Sequence, residues 1–339
     1  MMSSIAIPSV LLVGGSGAVG RRAALALRQL HPDLPITIGG RDLAKASRLA
    51  DTLGRADAVR IDLDRVDLGL PAPARHSAIA VLMKDPTLRT LAHAQRHGIP
   101  YLAFSDFVFD IAPLVARVIH APQAAPVLLL GHTMGGTAAL AALYLVQGLR
   151  RVDSLDIAAV LDEHDAGGPA AQADISELAQ GAPLPLVLQD GSFRWLPAAA
   201  AGRRFTGADG RVHQGQAYPL MDVASLAAET DARSIRVDLA LRQRPAERVA
   251  ELSNEVIIEV AGEQADGSAV RRRLELVHDD TYSALSAFGV AIALERLLGL
   301  VGGPPVAGGL HQPERLLDPG HVMARLQAFG VRCTAASTS

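Results

Sequence analysis

Residues 10–27 read VLLVGGSGAVGRRAALAL: a short apolar β-rich run, four glycines, then a stretch with helical periodicity. Gly15, Gly17 and Gly20 stand in the spacing G-x-G-x-x-G between the two runs. In that spacing the first glycine allows a sharp turn, and the second removes a side chain where a pyrophosphate must approach. The third lets the helix lie close to the strand. The helix start behind them presents N–H groups and a partial positive charge to phosphate. A glycine-rich turn by itself is only punctuation. It becomes a dinucleotide site when it follows the first strand of an alternating strand–helix array.

The flanking sequence supplies that array. ITIGG (36–40) predicts a second strand, and DLAKASRLADTLG a helix capped by Asp42 and stopped by Gly54. AVRIDL (58–63) and SAIAVLM (77–83) predict two more strands, and Pro86 opens a helix that ends at Gly98. YLAF (101–104) and PVLLLG (126–131) complete the series. Strands taking turns with helices imply an α/β, Rossmann-like, doubly wound parallel sheet in residues 1–131, a dinucleotide-binding domain.

After Gly131 the rhythm changes. A helix near TAALAALYLVQGL is followed by SLDIAAVL (154–161) and a loop-rich stretch to about residue 230. The alternating runs SIRVDLALR (234–242) and EVIIEVAG (255–262) predict half-exposed antiparallel strands. SAVRRRLELVH (268–278) reads as their partner across the turn EQADGS. Residues 132–280 are expected to form a second α+β domain for substrate and oligomerisation, and residues 281–339 a helical segment returning to the first.

Composition narrows the function. With 49% apolar and 20% charged residues and a net charge of −3, the chain has ample core and no basic field for nucleic acid. The start MMSSIAIPSV lacks the pattern of a signal peptide, and the lone Cys333 excludes an internal disulfide framework or a cysteine-based zinc site. A cytoplasmic homodimer acting on a small molecule, away from membrane and nucleic acid, is expected. Val118–Leu149 carries no Asp, Glu, Lys or Arg, but Pro122, Pro126, Gly131, Gly135 and Gly136 break it into strand, turn and helix, not a membrane span.

The end of the second strand selects the cofactor. An acid there suits the ribose 2′-hydroxyl of NAD, an arginine the 2′-phosphate of NADP. The chain has Gly39, Gly40 and Arg41, with Lys45 one helical turn on, so NADP is expected. Asp62, ending the third strand, either borders the adenine or caps the next turn. The expected binding set is Gly15, Ser16, Gly17, Ala18, Val19, Gly20, Arg41, Asp62 and Met83. No P-loop spacing occurs. Y-x-x-x-K is also absent, which argues against the short-chain dehydrogenases.

Two residues are candidates for catalysis. Lys84, one of only two lysines, directly follows the fourth strand, where a nicotinamide would lie. It either transfers a proton or binds a substrate carboxylate, or else stands as a surface lysine. Asp85 reads as the N-cap before Pro86. His132, in GHTMGG, either faces the cleft as acid or base or serves a hydrogen-bonded turn, and Gly135 and Gly136 would admit substrate closely. DEHDAGGP (162–169) reads first as a solvated loop and second as part of the cleft. His93 and His97 share a helix face but lack a third ligand, so no metal is expected.

With these segments quoted, a family resemblance is visible. The glycine segment, IGGRDLAKASRLADTLG, VLMKDPTLRTLAHAQRHGIPYLAFSD, ALSAFGVAIALERLLG and GGLHQPERLLDPGHVMARLQAFGV resemble the saccharopine dehydrogenase-like family. The resemblance implies an NAD(P)-dependent oxidoreductase, often acting at a C–N bond, with substrate between two domains. Ala103 stands where many members carry an acid, with Asp106 three residues on, and Met83-Lys84-Asp85 replaces a turn of small or thiol-bearing residues. The expected activity is NADP-dependent reduction of an imine or related C=N or C=O group of a small polar substrate. The alternatives are an enoyl (C=C) reductase of a lipid or polyketide intermediate and a non-catalytic NADP-binding protein.

Overall fold

The computed structural model describes residues 8–72, 75–104, 111–162, 165, 184–242 and 253–338. Asp106 and most of the DEHDAGGP segment, His164 included, lie outside them. Among the described residues, those up to 104, 111–130 and 287–316 form one compact unit, and 131–286 with 317–338 form a second.

In the first unit six strands come in quick succession: β1 (Ser9–Val13), β2 (Ile36–Gly40), β3 (Ala56–Arg60), β4 (His76–Val81), β5 (Tyr101–Ala103) and β6 (Pro126–Leu129). Helices α1 (Ala18–Leu30), α2 (Leu43–Leu53), α3 (Arg89–His97) and α4 (Ile111–His120) connect them. All pairings are parallel, in the order β6-β5-β4-β1-β2-β3. The chain therefore winds outward one way from β1 to β3 and the other way from β4 to β6. The reversal between β1 and β4 opens a crevice at the carboxyl ends of those two strands. Val10, Leu11, Leu12 and Val13 have no exposed surface, as befits a central strand buried on both faces.

Two features of this sheet escape the sequence pattern. A seventh strand, β15 (Gly309–His311), adds to the β6 edge in parallel, from a three-residue stretch between glycine–proline clusters. Helix α4 is a second, with Pro113 in its first turn. The sheet's lower corner is held by one arginine. Arg28, in the last turn of α1, donates to the carbonyls of Pro32 at 2.6 Å, Leu34 at 2.8 Å and Gly54 at 2.8 Å, tying the ends of α1 and α2 to the start of β2.

The second unit holds the mixed sheet. Its elements are α5 (Thr137–Val146), β7 (Arg151–Asp162), β8 (Leu186–Gln189), β9 (Ser192–Trp195), β10 (Gly202–Thr206) and β11 (Val212–Ala217). They continue with α6 (Asp222–Glu229), β12 (Ser234–Arg242), β13 (Asn254–Glu263) and β14 (Ala269–His278). Helix α7 (Tyr282–Leu297) leads toward α8 (Pro319–Ala328) and β16 (Arg332–Thr338). The order is β10-β11-β12-β7-β13-β14-β16, with β8 paired to β12 and β9 to β8. β13 and β14 form the expected antiparallel hairpin. β12 follows expectation in part: it pairs antiparallel with β11 and β8 but runs parallel to β7, from Ser234↔Ser154 to Arg242↔Asp162. Alternation of polar and apolar residues reports which face is buried, not which way a neighbour runs.

The C-terminal segment expected to return in one piece is divided. Residues 287–316 belong to the first unit, where Glu295 of α7 is fully buried and its Oε1 lies 2.7 Å from His31 Nε2 at the end of α1. From Leu317 onward the chain belongs to the second unit, and β16 extends its sheet alongside β14. Arg332–Thr338 is exposed along nearly all its length, as an edge strand is. No helix of the described residues is long and apolar enough to cross a membrane.

Replacing Arg28 with Met should cost about 1–3 kcal/mol, because several strand-end carbonyls lose a charged donor together. The urea midpoint of the purified variant measures this, and an unchanged midpoint would mean that water replaces the guanidinium at no cost.

Candidate functional site

The glycine turn is built by close contact. Gly14 carries the positive φ of +78°, so the left-handed residue precedes the G-x-G-x-x-G spacing and is not its first member. A Cβ on Gly20 would stand 2.5 Å from the Gly14 carbonyl oxygen and 2.7 Å from Gly15 Cα. One on Gly15 would stand 2.7 Å from the Leu12 oxygen. These two glycines press α1 against the end of β1. Gly17 differs: it is exposed, it is the N-cap of α1, and a Cβ there would meet only the Gly14 oxygen, at 3.1 Å. α1 has no side-chain cap and no acid in its first turn. Its N-terminal N–H groups are therefore left for another acceptor.

Three strand ends rim this turn. Gly14 N–H donates to Gly39 O at 2.9 Å, and Leu82 N–H to Val13 O at 2.9 Å, so the glycine turn sits between the ends of β2 and β4. On the β4 side a Cβ on Gly14 would touch Met83 Cγ at 3.3 Å. On the β2 side a Cβ on Gly40 would lie 3.6 Å from Ser16 Oγ. Arg41 is exposed and makes no ion pair or hydrogen bond with described residues. Asp42 caps α2 by accepting the Lys45 N–H at 2.9 Å. Asp62, at the end of β3, accepts the Asp64 N–H at 2.9 Å, the turn-capping one of its two readings. One end of the sheet thus gathers Gly15, Ser16, Gly17, Ala18, Val19, Gly20, Arg41, Asp62, Met83 and Lys84.

Lys84 is half-buried. Its neighbour Asp85 caps α3 by a different route from the one expected. Pro86 and Thr87 form a turn, Leu88 becomes the N-cap with φ +52°, and α3 starts only at Arg89. Asp85 accepts from Thr87 N–H at 3.0 Å and, through its other oxygen, from Thr90 N–H at 2.9 Å and Thr90 Oγ1 at 2.6 Å. With its proton given to Asp85, Thr90 accepts from the fully buried Tyr101 hydroxyl at 2.9 Å. Burial pushes the Tyr101 phenol above its ordinary range, which keeps it a donor. This chain of hydrogen bonds fixes the backbone on which Lys84 stands.

His132 is placed otherwise. It is buried in the second unit, with Nε2 2.7 Å from Ser225 Oγ of α6, and the next residue, Thr133, donates its N–H to Asp222 at 2.8 Å. Burial lowers its pKa to about 3, so it is neutral near pH 7 and has no proton to give as an acid. The turn after it admits no ligand at Gly135 either: a Cβ there would stand 2.5 Å from the Ser286 carbonyl oxygen of α7, so the glycine makes room for a helix. Ala103 is buried within β5. The rings of His93 and His97 lie 4.5 Å apart between centroids and tilted by 48°, and no group of three or more metal-ligating side chains forms among the described residues. Asp165 accepts the Tyr282 N–H at 2.5 Å and anchors the start of α7, a role its loop-like sequence did not signal.

No protein-family model matches the chain. A short chain dehydrogenase of Aspergillus nomiae is 29% identical over 140 residues, covering 36% of this chain and 38% of that protein. The structural match is wider. Saccharopine dehydrogenase (L-Glu forming) of Saccharomyces cerevisiae superposes with a TM-score of 0.72 at 14% identity, over 98% of this chain and all of that one. The chain has the saccharopine dehydrogenase fold. Homospermidine synthase of Legionella pneumophila, solved with NAD, follows at a TM-score of 0.66 and 12% identity over 98% of this chain and 92% of that one. At these identities the likeness lies in the arrangement of strands and helices.

Because His132 is neutral when folded and takes up a proton near pH 6.5 when unfolded, it contributes stability above that pH. The contribution is lost as pH falls from about 6.5 toward about 3. His76, His93 and His278 are shifted down by burial in the same sense. The urea midpoint should therefore hold level above pH 7 and fall below pH 6.5. His132→Gln should remove a slope of up to about 1.4 kcal/mol per pH unit from the acid limb. An acid limb of the same steepness in that variant would show that His132 protonates as freely folded as unfolded.

Proposed function

We propose that this chain is an NADP-dependent oxidoreductase that reduces an imine or related C=N or C=O group of a small polar substrate. The observation that carries the reading is the uncapped glycine turn at the strand-order reversal, with the unengaged Arg41 beside it and no acid at the end of β2. The residues present fit a dinucleotide. The N–H groups of Ala18, Val19 and Gly20 hold the pyrophosphate across the bare backbone of Gly17. Arg41 and Lys45 supply positive charge for a 2′-phosphate, and the missing side chain of Gly40 keeps the Ser16 hydroxyl open to the same group. Asp62, which caps the turn after β3, would border the adenine from that turn. Met83, packed on Gly14, flanks the nicotinamide.

The bound cofactor supplies a hydride. Lys84, held by the Asp85–Thr90–Tyr101 chain, gives the balancing proton to the substrate nitrogen or oxygen, or pairs with a substrate carboxylate. An ammonium suits this task because it can exchange its proton, whereas a guanidinium stays protonated. A second reading has support from the same geometry: with His132 sealed and Ala103 apolar, the chain binds NADP without turning it over if Lys84 is not a donor.

Calorimetric titration tests the cofactor assignment. NADPH should bind more tightly than NADH, and Arg41→Ala should weaken NADPH by about 10-fold or more while sparing NADH. Gly17→Val should abolish binding of both without unfolding, since its Cβ meets only the Gly14 oxygen, at 3.1 Å, and a small shift of the turn relieves that contact. Equal affinities for the two nucleotides in the unaltered chain would exclude the NADP assignment.

Once a turned-over imine or carbonyl substrate is in hand, Lys84→Met should lower turnover about 10²-fold or more and leave NADPH affinity unchanged. A variant with full turnover and an unaltered pH profile would remove Lys84 from the chemistry.

A further inference from the structure

A cation that discriminates between nucleotides must stand on the face of the sheet to which the glycine turn belongs, and side-chain parity decides which residues do. Successive residues of a strand point to opposite faces, and partners in register on a neighbouring strand point to the same face. A Cβ on Gly15 would meet Ile38 Cγ2 at 3.2 Å, so the face of β2 that carries Ile38 is turned to the glycine turn. Gly40, two residues on, shares that face, and a Cβ there would lie 3.6 Å from Ser16 Oγ. The register partner of Gly40 on β3 is Arg60. The Ile61 N–H donates to Gly40 O at 2.9 Å and holds that register to the end of both strands. Ile61 itself falls on the other face, where a Cβ on Gly39 would stand 2.9 Å from its Cγ1. Arg60 is therefore set on the Ser16 face, one strand away, with no side chain on Gly40 between them. It is also uncommitted: exposed, and in no ion pair or hydrogen bond with described residues. The acids that follow these strands are engaged elsewhere, Asp42 on the Lys45 N–H and Asp62 on the Asp64 N–H, each at 2.9 Å.

We infer that Arg60 is a further specificity residue for the nucleotide, a cation that grips the 2′-phosphate from β3 while Arg41 and Lys45 hold it from the β2–α2 side. The inference rests on the NADP reading of this site and adds the strand from which the phosphate is held. A phosphate monoester brings about two negative charges near pH 7 and three strong acceptor oxygens. A guanidinium meets two such oxygens at once with its fork of donors. Gly40 makes the reach possible. An acid in its place, as NAD sites carry, would stand between Ser16 and Arg60 and take the guanidinium for itself. The one bare position thus removes the partner of a 2′-hydroxyl and frees a cation for a 2′-phosphate.

Adenosine 2′,5′-bisphosphate and adenosine 5′-monophosphate differ only in the 2′-phosphate, so calorimetric titration of the full chain with each isolates that group from the nicotinamide half. The bisphosphate should bind about tenfold more tightly or better. Arg60→Gln should remove most of that preference and leave the monophosphate affinity and the circular dichroism spectrum unchanged. Arg60→Lys should restore part of it. Gly40→Asp, whose carboxylate would face Arg60, should abolish the preference, and adding Arg60→Gln to it should then change little further. Equal binding of the two nucleotides by the unaltered chain would remove the NADP reading, and the role of Arg60 with it. A preference that falls in Arg41→Ala but stands intact in Arg60→Gln would keep the NADP reading and overturn the assignment of Arg60.

Discussion

The contact between Gly20 and the Gly14–Gly15 backbone is the constraint on which the rest of the first unit depends. No side chain can stand at Gly20 without meeting the Gly14 oxygen at 2.5 Å, so α1 is driven hard against the end of β1. That approach aims the helix start along the crevice between β1 and β4, and the exposed, side-chain-free Gly17 is left at its mouth. Phosphate recognition of this kind needs oriented N–H groups at close range more than any particular side chain. Arg41 stands exposed at the rim of this turn, after the end of β2.

Buried polar groups divide the two candidate catalytic residues. His132 gave up solvent for a hydrogen bond to Ser225, and the loss of hydration removes its cationic form from the pH range in which it could act as an acid. Lys84 stays half-buried past the carboxyl end of β4, on backbone set by Asp85, Thr90 and Tyr101. One histidine therefore serves the architecture of the second unit, and the hydrogen bonds around the lysine serve its position. The same principle organises the second sheet, where the buried Asp238 is met by Arg203 at 2.8 Å and by Arg236 at 2.9 Å.

Much of this was determined by sequence alone, wherever physics acts between residues close along the chain. The run VLLV must be buried, the glycine spacing must turn, Asp42 and Gly54 must start and stop α2, and the 254–278 hairpin must close over its turn. Arg41 at the end of the second strand is local information of the same kind. Strand–helix alternation then leaves few topologies besides a parallel sheet with a reversal point.

Tertiary structure alone decided what depends on partners distant in sequence. The direction of β12, the addition of β15 and the division of the C-terminal segment between two units follow from which edge was open, and no local pattern encodes that. The fate of His132 followed from Ser225, 93 residues away, and that of Gly135 from the carbonyl of Ser286. Asp85 shows the boundary well. Its sequence announced a cap, and the structure made it one, but through a turn that shifted the helix start to Arg89 and reached Thr90, since only the folded packing of Thr90 on Tyr101 fixed where that cap had to point.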